Sequence, residues 1–318
     1  FPILLNQQCL QAWHWLMLIM VVSSMQIPPA AALSTMRLAV CCIYIFSAFS
    51  RISVTVHQSM TGYVAQVLAR LASVDLSETS VRVMCWGFVV GELLTGIALL
   101  LPRTRRLGIG MALLLHLLLL LALGPLGMNH HVGVLIWNLC MLTLVPVLFR
   151  GPRETVMLTG QIPANAAPGG IGVKLFRGAI VVFPVLGLIG ITDNWPAWQL
   201  YSPRPEVWIL QVHIDARAEL PEWVQPEIAD PPPLQDWCAV RLDRLSLSET
   251  GSPIYPEDRF QLAVIQQVIT NLADGVWQVS ISEPETAFWQ AHRQRMITTR
   301  DELDAEADRF LLNVRAAD

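Results

Sequence analysis

The chain has 318 residues, of which 53% are hydrophobic and only 14% are charged, and its mean hydropathy is +0.48. This composition is typical of a membrane protein and excludes an ordinary soluble domain. Charge is divided along the chain: 11 basic and 4 acidic residues precede position 193, a balance of +7, whereas 10 basic and 21 acidic residues follow, a balance of −11. The sequence predicts a slightly basic membrane module and an acidic module, without the clustered basic surface of a nucleic-acid-binding protein.

The first module contains six apolar segments of spanning length. The predicted spans cover about residues 10–27, 33–50, 81–101, 107–124, 132–149 and 171–191. Residues 52–79 are too polar to cross the bilayer, but apolar side chains recur there at helical spacing. This spacing predicts an amphipathic helix over about 62–74 that lies on the outer membrane surface.

The distribution of arginine orients these spans. The turn at 102–106 carries three arginines, whereas the turn at 124–131 has no Lys or Arg. Basic turns stay in the cytoplasm, so the second turn is expected outside, and six spans place both ends of the module outside. The chain begins at Phe1, and we expect a segment upstream of it.

The acidic residues 193–318 are expected to form an extracytoplasmic α+β domain. The predicted strands are 207–214, 238–247 and 277–281, and the predicted helices are 258–272 and most of 284–309. The fold class is therefore mainly α: a polytopic helical membrane bundle with a small C-terminal α+β extramembrane domain.

Glu92 is the only acidic residue inside a predicted span, where an unpaired carboxylate is costly. At 1.5 Å per residue, Glu92 and His116 lie at similar depth on consecutive antiparallel helices, and Asn138 lies near that level. We expect the three to form a buried polar cluster, with Glu92 and His116 hydrogen-bonded directly or through a water. Such a cluster could relay a proton, bind a quinone headgroup or hold an ion, or it could only fasten the helices together.

His130 and His131 lie side by side in the predicted outer turn. Adjacent histidines can bind a metal, but neighbouring side chains on a turn diverge, and no Asp, Glu or Cys accompanies these two. We therefore expect hydrogen bonding that shapes the turn and assign no metal site, although this pair is the best candidate for one. A haem is not expected either.

Two short motifs carry a family resemblance. Phe46–Arg51 follows an aromatic-Ser-Ala pattern, and Glu92–Leu100 reads Glu-Leu-x-x-Gly-x-x-Leu-Leu. Over about residues 33–150 the chain resembles the DoxX/MauE group of redox-associated bacterial membrane proteins. The resemblance implies a four-helix membrane core in the bacterial inner membrane. Tyr44, Arg51 and Trp137 are the candidate cofactor-binding residues, with a quinone as the possible ligand.

Two features depart from that group. Arg51 occupies the position where lysine is usual, and the cysteine motifs of a thiol-redox partner are absent. The same stretch is also similar to the vitamin K-dependent carboxylase-like membrane domain, in which the corresponding lysine has the role of a base. Arginine stays protonated, so Arg51 disfavours carboxylase chemistry. The acidic module resembles the C-terminal extension of bacterial membrane proteins related to the DoxX/MauE group.

Two functions from different classes are predicted side by side. The first is redox-associated: quinone-linked electron transfer, or maturation of a redox partner outside the cytoplasm. The second is a non-catalytic subunit whose acidic domain docks another membrane or periplasmic protein within a larger complex. A carboxylase-like enzyme is the third and least favoured.

Overall fold

The computed structural model describes residues 11–25, 29–149, 170–203, 205–251, 253–283 and 293–310. These residues form two compact units, Ala12–Pro203 and the part of the chain that follows it. The first unit is helical, and the second contains a four-stranded sheet. The helical unit extends past the predicted boundary at residue 193 because Trp198 is buried in its core.

Seven helices are described in the first unit. They are α1 (Ala12–Ser24), α2 (Pro29–Ser50), α3 (Met60–Leu71), α4 (Glu78–Leu100), α5 (Arg105–Leu123), α6 (Val132–Phe149) and α7 (Ile171–Leu188). Five of them, α2 and α4 to α7, are long and apolar enough to cross a membrane, which confirms the prediction of a multi-pass helical protein. The described part of the first predicted span is α1, whose 13 residues are fewer than the roughly 20 that a span needs. The count of six spans, and the orientation that follows from it, stay predictions.

Helix α2 lies at the centre of the bundle and packs against α1, α4, α6 and α7. Its approach to α4 depends on Gly96. A Cβ atom at Gly96 would lie 3.1 Å from the Cβ of Tyr44 and 3.2 Å from the carbonyl oxygen of Cys41. Because glycine has no side chain, the two helices can approach this closely, and Tyr44 is held against α4.

Helix α3 is amphipathic, as its sequence predicts. Val64 and Val67 are buried, whereas Tyr63 and Arg70 on the other face are exposed. The helix begins at Ser59, whose hydroxyl accepts a hydrogen bond from the backbone N–H of Thr61. Its buried face packs against α4 and α5, so the helix belongs to the bundle and does more than rest on a bilayer surface.

The second unit is built on an antiparallel sheet in the order β2-β1-β3-β4. Its elements are β1 (Val207–His213), β2 (Trp237–Val240), α8 (Leu242–Thr250), α9 (Asp258–Val268), β3 (Trp277–Ser282), β4 (Gln294–Ile297) and α10 (Arg300–Ala307). Alternate residues of β1 and β3 are buried, and they share one hydrophobic core with α9, in which Leu262 and Ile265 are fully buried.

Two predicted elements of this unit are wrong in part. The strand predicted over 238–247 ends at Val240, and α8 begins at Leu242 because the apolar residues change from alternation to helical spacing at Leu242 and Leu245. Residues 294–297 of the predicted helix form β4, which pairs with β3, and residues 284–292 lie outside the described part of the chain. Helix α10 starts only at Arg300, after a capping box formed by Thr299 and Glu302.

Candidate functional site

Three polar residues of α2 and its C-terminal end lie on one face of the helix. Tyr44, Ser47 and Arg51 are spaced i, i+3 and i+7, which puts their side chains in one row. Arg51 follows the last residue of α2 and folds back along the helix. Its Nε donates to the carbonyl oxygen of Ser47 at 3.2 Å, and its Nη2 donates to the Ser47 hydroxyl at 3.0 Å. Ser47 therefore fixes the guanidinium on the face of α2 that meets α4.

Glu92 of α4 forms an ion pair with the Arg51 guanidinium. The two side chains are mostly buried, with 15% of Arg51 and 10% of Glu92 exposed. A carboxylate within a spanning helix requires a partner of this kind, because an isolated charge in an apolar medium is strongly destabilising. The pair thus explains how α4 accommodates its acidic residue.

A second polar chain joins α2, α5 and α6. The hydroxyl of Tyr44 lies 2.8 Å from Nε2 of His116, and Nδ1 of His116 lies 2.8 Å from Oδ1 of Asn138. Asn138 in turn donates from Nδ2 to the carbonyl oxygen of Val134 at 2.8 Å. Tyr44, His116 and Asn138 are all buried, with at most 5% of each exposed.

The chain of hydrogen bonds has a direction. A carbonyl oxygen only accepts, so Asn138 must present Nδ2 to Val134 and Oδ1 to His116. Oδ1 also only accepts, and Nδ1 of His116 must therefore carry the proton. In a neutral imidazole the other nitrogen is then the acceptor, and the Tyr44 hydroxyl donates to it. Asn138 thereby selects the tautomer of His116 and makes Tyr44 a donor.

The predicted contact between Glu92 and His116 is not formed. Glu92 binds Arg51, and both ring nitrogens of His116 already have partners, which leaves none for Glu92 or for a bridging water. Similar depth does not bring two side chains together unless each also faces the other helix, and Glu92 faces Arg51 at the end of α2. The expected contact of His116 with Asn138 is present.

The other predicted ligand residues have separate places. Tyr44 contacts His116, and Arg51 contacts Glu92. Trp137 packs, partly buried, against the helical core, and no hydrogen bond or ring contact joins it to either polar group in the described residues. Sequence reasoning missed Ser47, although its spacing from Tyr44 and Arg51 on α2 was a signal that could have found it.

His130 and His131 are engaged by the backbone of their turn. The N–H of His131 donates to Nδ1 of His130 at 2.8 Å, and the N–H of Gly133 donates to Nδ1 of His131 at 3.2 Å. The rings of His130 and Tyr201 meet edge to face with their centroids 6.4 Å apart. Burial, followed by the neighbouring His131, lowers the pKa of His130. Among the described residues, no three His, Cys, Asp or Glu side chains converge as metal ligands would.

No family model, curated protein or solved structure matches this chain. Its class is accordingly defined by what the fold shows: a multi-pass helical membrane protein that carries a small unit with an antiparallel sheet. Within the helical unit, the arrangement best suited to chemistry is the Arg51–Glu92 ion pair together with the Tyr44–His116–Asn138 chain.

Proposed function

We propose that the helical unit is a redox-associated membrane protein of DoxX/MauE type that binds a quinone headgroup beside Arg51 and Glu92. The observation that carries the proposal is their ion pair, in which 15% of the Arg51 side chain and 10% of the Glu92 side chain remain exposed. A fully enclosed pair would only fasten helices, whereas these two side chains remain within reach of a ligand. The resemblance of residues 33–150 supports a location in the bacterial inner membrane, with the second unit outside the cytoplasm.

The residues present suit a quinone in three ways. The carbonyl oxygens of a quinone accept hydrogen bonds, and the guanidinium of Arg51 donates them in a fixed plane. Conversion to the quinol takes up two electrons and two protons. The electrons would come from an external redox protein and the protons from water, and the Glu92 carboxylate would accept each proton and transfer it to a carbonyl oxygen of the quinone.

Ser47 and Asn138 have positioning roles in this proposal. Ser47 holds Arg51 against α2, and Asn138 fixes the neutral tautomer of His116. Tyr44 then presents its hydroxyl toward His116, and the ion pair lies along the same face of α2. The whole set is carried by rigid helices, as a preorganised site requires.

A binding titration tests the proposal. The full chain in lipid nanodiscs is titrated with decylubiquinone while its tryptophan emission is recorded, and empty nanodiscs correct for partitioning into lipid. We expect saturable quenching that Glu92→Gln weakens roughly tenfold, because the variant removes the carboxylate that orients the Arg51 guanidinium, whose charged hydrogen bond to the quinone contributes about 1.5–3 kcal/mol. Glu78→Gln is the matched control, because Glu78 forms an exposed ion pair with Arg82 on the same helix. Quenching that never saturates, or that both variants leave unchanged, would contradict the proposal.

A second candidate function is docking of a partner by the acidic unit, and an apolar groove favours it. The groove has a volume of about 270 Å³ and lies between α8 and α9. It is lined by Trp223, Leu242, Leu245, Ser246, Glu249, Thr250, Ile254, Ala263, Val264 and Gln267. Trp223 is partly exposed, and Glu222 and Glu249 are exposed beside it. The net negative charge of this part of the chain favours a partner segment that is basic. The apolar groove would receive an apolar side chain of that segment.

Site-specific photocrosslinking separates the two functions. A photoreactive residue at position 223, in the groove, should capture a basic protein in native membranes, and one at position 234 should not, since Leu234 is fully exposed outside the groove. Glu249→Lys should reduce the crosslink at position 223 because it reverses the charge at the rim. Equal adducts from both positions would contradict docking in the groove.

A further inference from the structure

The helical unit contains a polar cavity at some distance from the Arg51–Glu92 pair. The cavity has a volume of about 570 Å³ and opens between α3 and the start of α4. Its apolar lining consists of Ala69, Val74, Leu76 and Val81, and its polar lining of His57, Gln66, Arg70, Asp75 and Glu78. The volume is in the range of small-molecule sites, roughly 300–1,000 Å³.

The cavity is lined by opposite charges, of which Arg70 and Asp75 are not neutralised by an ion pair with a described residue. Arg70 and Asp75 both line it, yet neither forms an ion pair with any described residue. Glu78 also lines it and shares one carboxylate oxygen with Arg82 on α4. One guanidinium and two carboxylates thus face a common space, which suits a ligand that carries both a negative and a positive group.

The cavity lies at the start of a spanning helix, and this position favours a lipid as its ligand. Helix α4 is long and apolar enough to span a membrane, and Glu78 is its first residue, so the cavity lies at the level where the bilayer meets water. Tyr63 and Leu71 of the amphipathic α3, and Val74 shortly after it, are exposed apolar side chains that suit contact with lipid. Lipid headgroups occupy this layer, and the apolar lining can receive the part of a lipid next to its headgroup.

We propose that this cavity binds the phosphoethanolamine headgroup of a phospholipid. The phosphate pairs with Arg70, and the primary ammonium pairs with Asp75 and Glu78. A guanidinium suits a phosphate, and an ammonium has three N–H donors for carboxylate oxygens. A choline headgroup has no N–H to donate, and a glycerol headgroup has no positive charge, so both fit the carboxylates less well.

The proposal is independent of the quinone site. Glu78 and Glu92 are 14 residues apart on α4, a separation of roughly 21 Å along the helix. Loss of the lipid site should therefore leave decylubiquinone binding unchanged, and the failure of either proposal can be recognised without the other.

Native mass spectrometry of the full chain tests the lipid site. The protein is released from nanodiscs that contain equal amounts of phosphatidylethanolamine, phosphatidylcholine and phosphatidylglycerol, and the retained lipids are counted. We expect phosphatidylethanolamine to be retained preferentially and Asp75→Asn to reduce that preference roughly tenfold. Arg70→Gln should instead reduce the retention of all three lipids, because the phosphate is common to them. Arg103→Gln in the basic turn is the control, because it removes the same charge outside the cavity.

Competition with soluble glycerophosphoethanolamine identifies the source of the headgroup. Displacement of the lipid would support a site that reads the headgroup alone, and retention would support a site that also needs the membrane-embedded part of the lipid. Equal retention of the three lipids by the wild-type chain would overturn the proposal. So would an unchanged preference in Asp75→Asn together with unchanged lipid retention in Arg70→Gln, provided that circular dichroism shows both variants folded.

Discussion

Arg51 and Glu92 form an ion pair that joins the C-terminal end of α2 to α4. The ion pair allows α4 to contain a carboxylate, because a carboxylate in a spanning helix is strongly destabilising without a cation beside it. The pair also explains why an arginine suits position 51. A planar guanidinium can bind Ser47 and Glu92 at once, which the ammonium of lysine does less well.

Breaking the pair on one side should destabilise the bundle more than removing both charges. Glu92→Gln leaves the Arg51 charge without its partner, and the expected loss in the free energy of unfolding is on the order of 3 kcal/mol. The double variant Arg51→Gln/Glu92→Gln should lose less than the sum of the two single variants. Thermal unfolding in detergent measures all four proteins of this double-mutant cycle, and additive losses would show that the two side chains do not interact.

Asn138→Leu should change the tautomer of His116. Without Oδ1 of Asn138, the N–H at Nδ1 loses its acceptor, and the proton is expected to move to Nε2 and donate to Tyr44. Nitrogen NMR of histidine-labelled protein reports this shift, and stability should fall by roughly 1–2 kcal/mol. Thr143→Val is the matched control on α6, since the Thr143 hydroxyl bonds only to carbonyl oxygens of its own helix. An unchanged spectrum in Asn138→Leu would contradict the assigned direction of the chain.

Two glycines of α4 offer a paired test of helix packing. Gly96→Ala places a methyl group against Ile45, Tyr44 and Cys41, with the Ile45 side chain nearest at 2.7 Å. We therefore expect a loss of about 1–3 kcal/mol and a displaced Tyr44 hydroxyl. Gly91→Ala meets no atom within 4 Å and should be neutral or stabilise the helix by up to about 1 kcal/mol. Thermal unfolding compares the two variants directly. Equal stability would mean that α2 and α4 do not need their close approach.

His130 should make stability depend on pH on the acidic side of neutrality. Burial and then His131 lower the pKa of His130, so the folded state favours the neutral ring. The stabilisation is complete above the ordinary pKa of 6.5 and is lost as the pH falls below it, because the unfolded state then binds more protons. His130→Asn keeps an acceptor for the His131 N–H and should flatten the pH dependence of the unfolding temperature below pH 6.5. An equally steep dependence in this variant would exclude His130 as its source.

Much of the fold was predictable because the signals are local. Long apolar runs predicted the five helices of spanning length, and the strands predicted over 207–214 and 277–281 match β1 and β3. The strand predicted over 238–247 failed because a short apolar stretch fits either period, and Leu242 begins α8.

The candidate site was predictable only in part. Their similar depth along the helices correctly predicted that His116 contacts Asn138. Depth alone could not predict that Glu92 binds Arg51. Depth locates Cα atoms, whereas the partner of a side chain depends on its tilt and on the rotation of its helix. The row of Tyr44, Ser47 and Arg51 on α2 was visible in the sequence, and it marks the face that binds Glu92 of α4 and His116 of α5.

The proposed binding of a quinone headgroup by Arg51 and Glu92 is tested most directly by the quinone content of the protein. The full chain is purified from native membranes in lipid particles, and its quinones are extracted and quantified relative to protein. The account predicts that the wild-type chain and Glu78→Gln retain stoichiometric quinone and that Glu92→Gln loses most of it. Quinone at only the level of the surrounding lipid in the wild-type chain, or equal amounts in all three proteins, would contradict it.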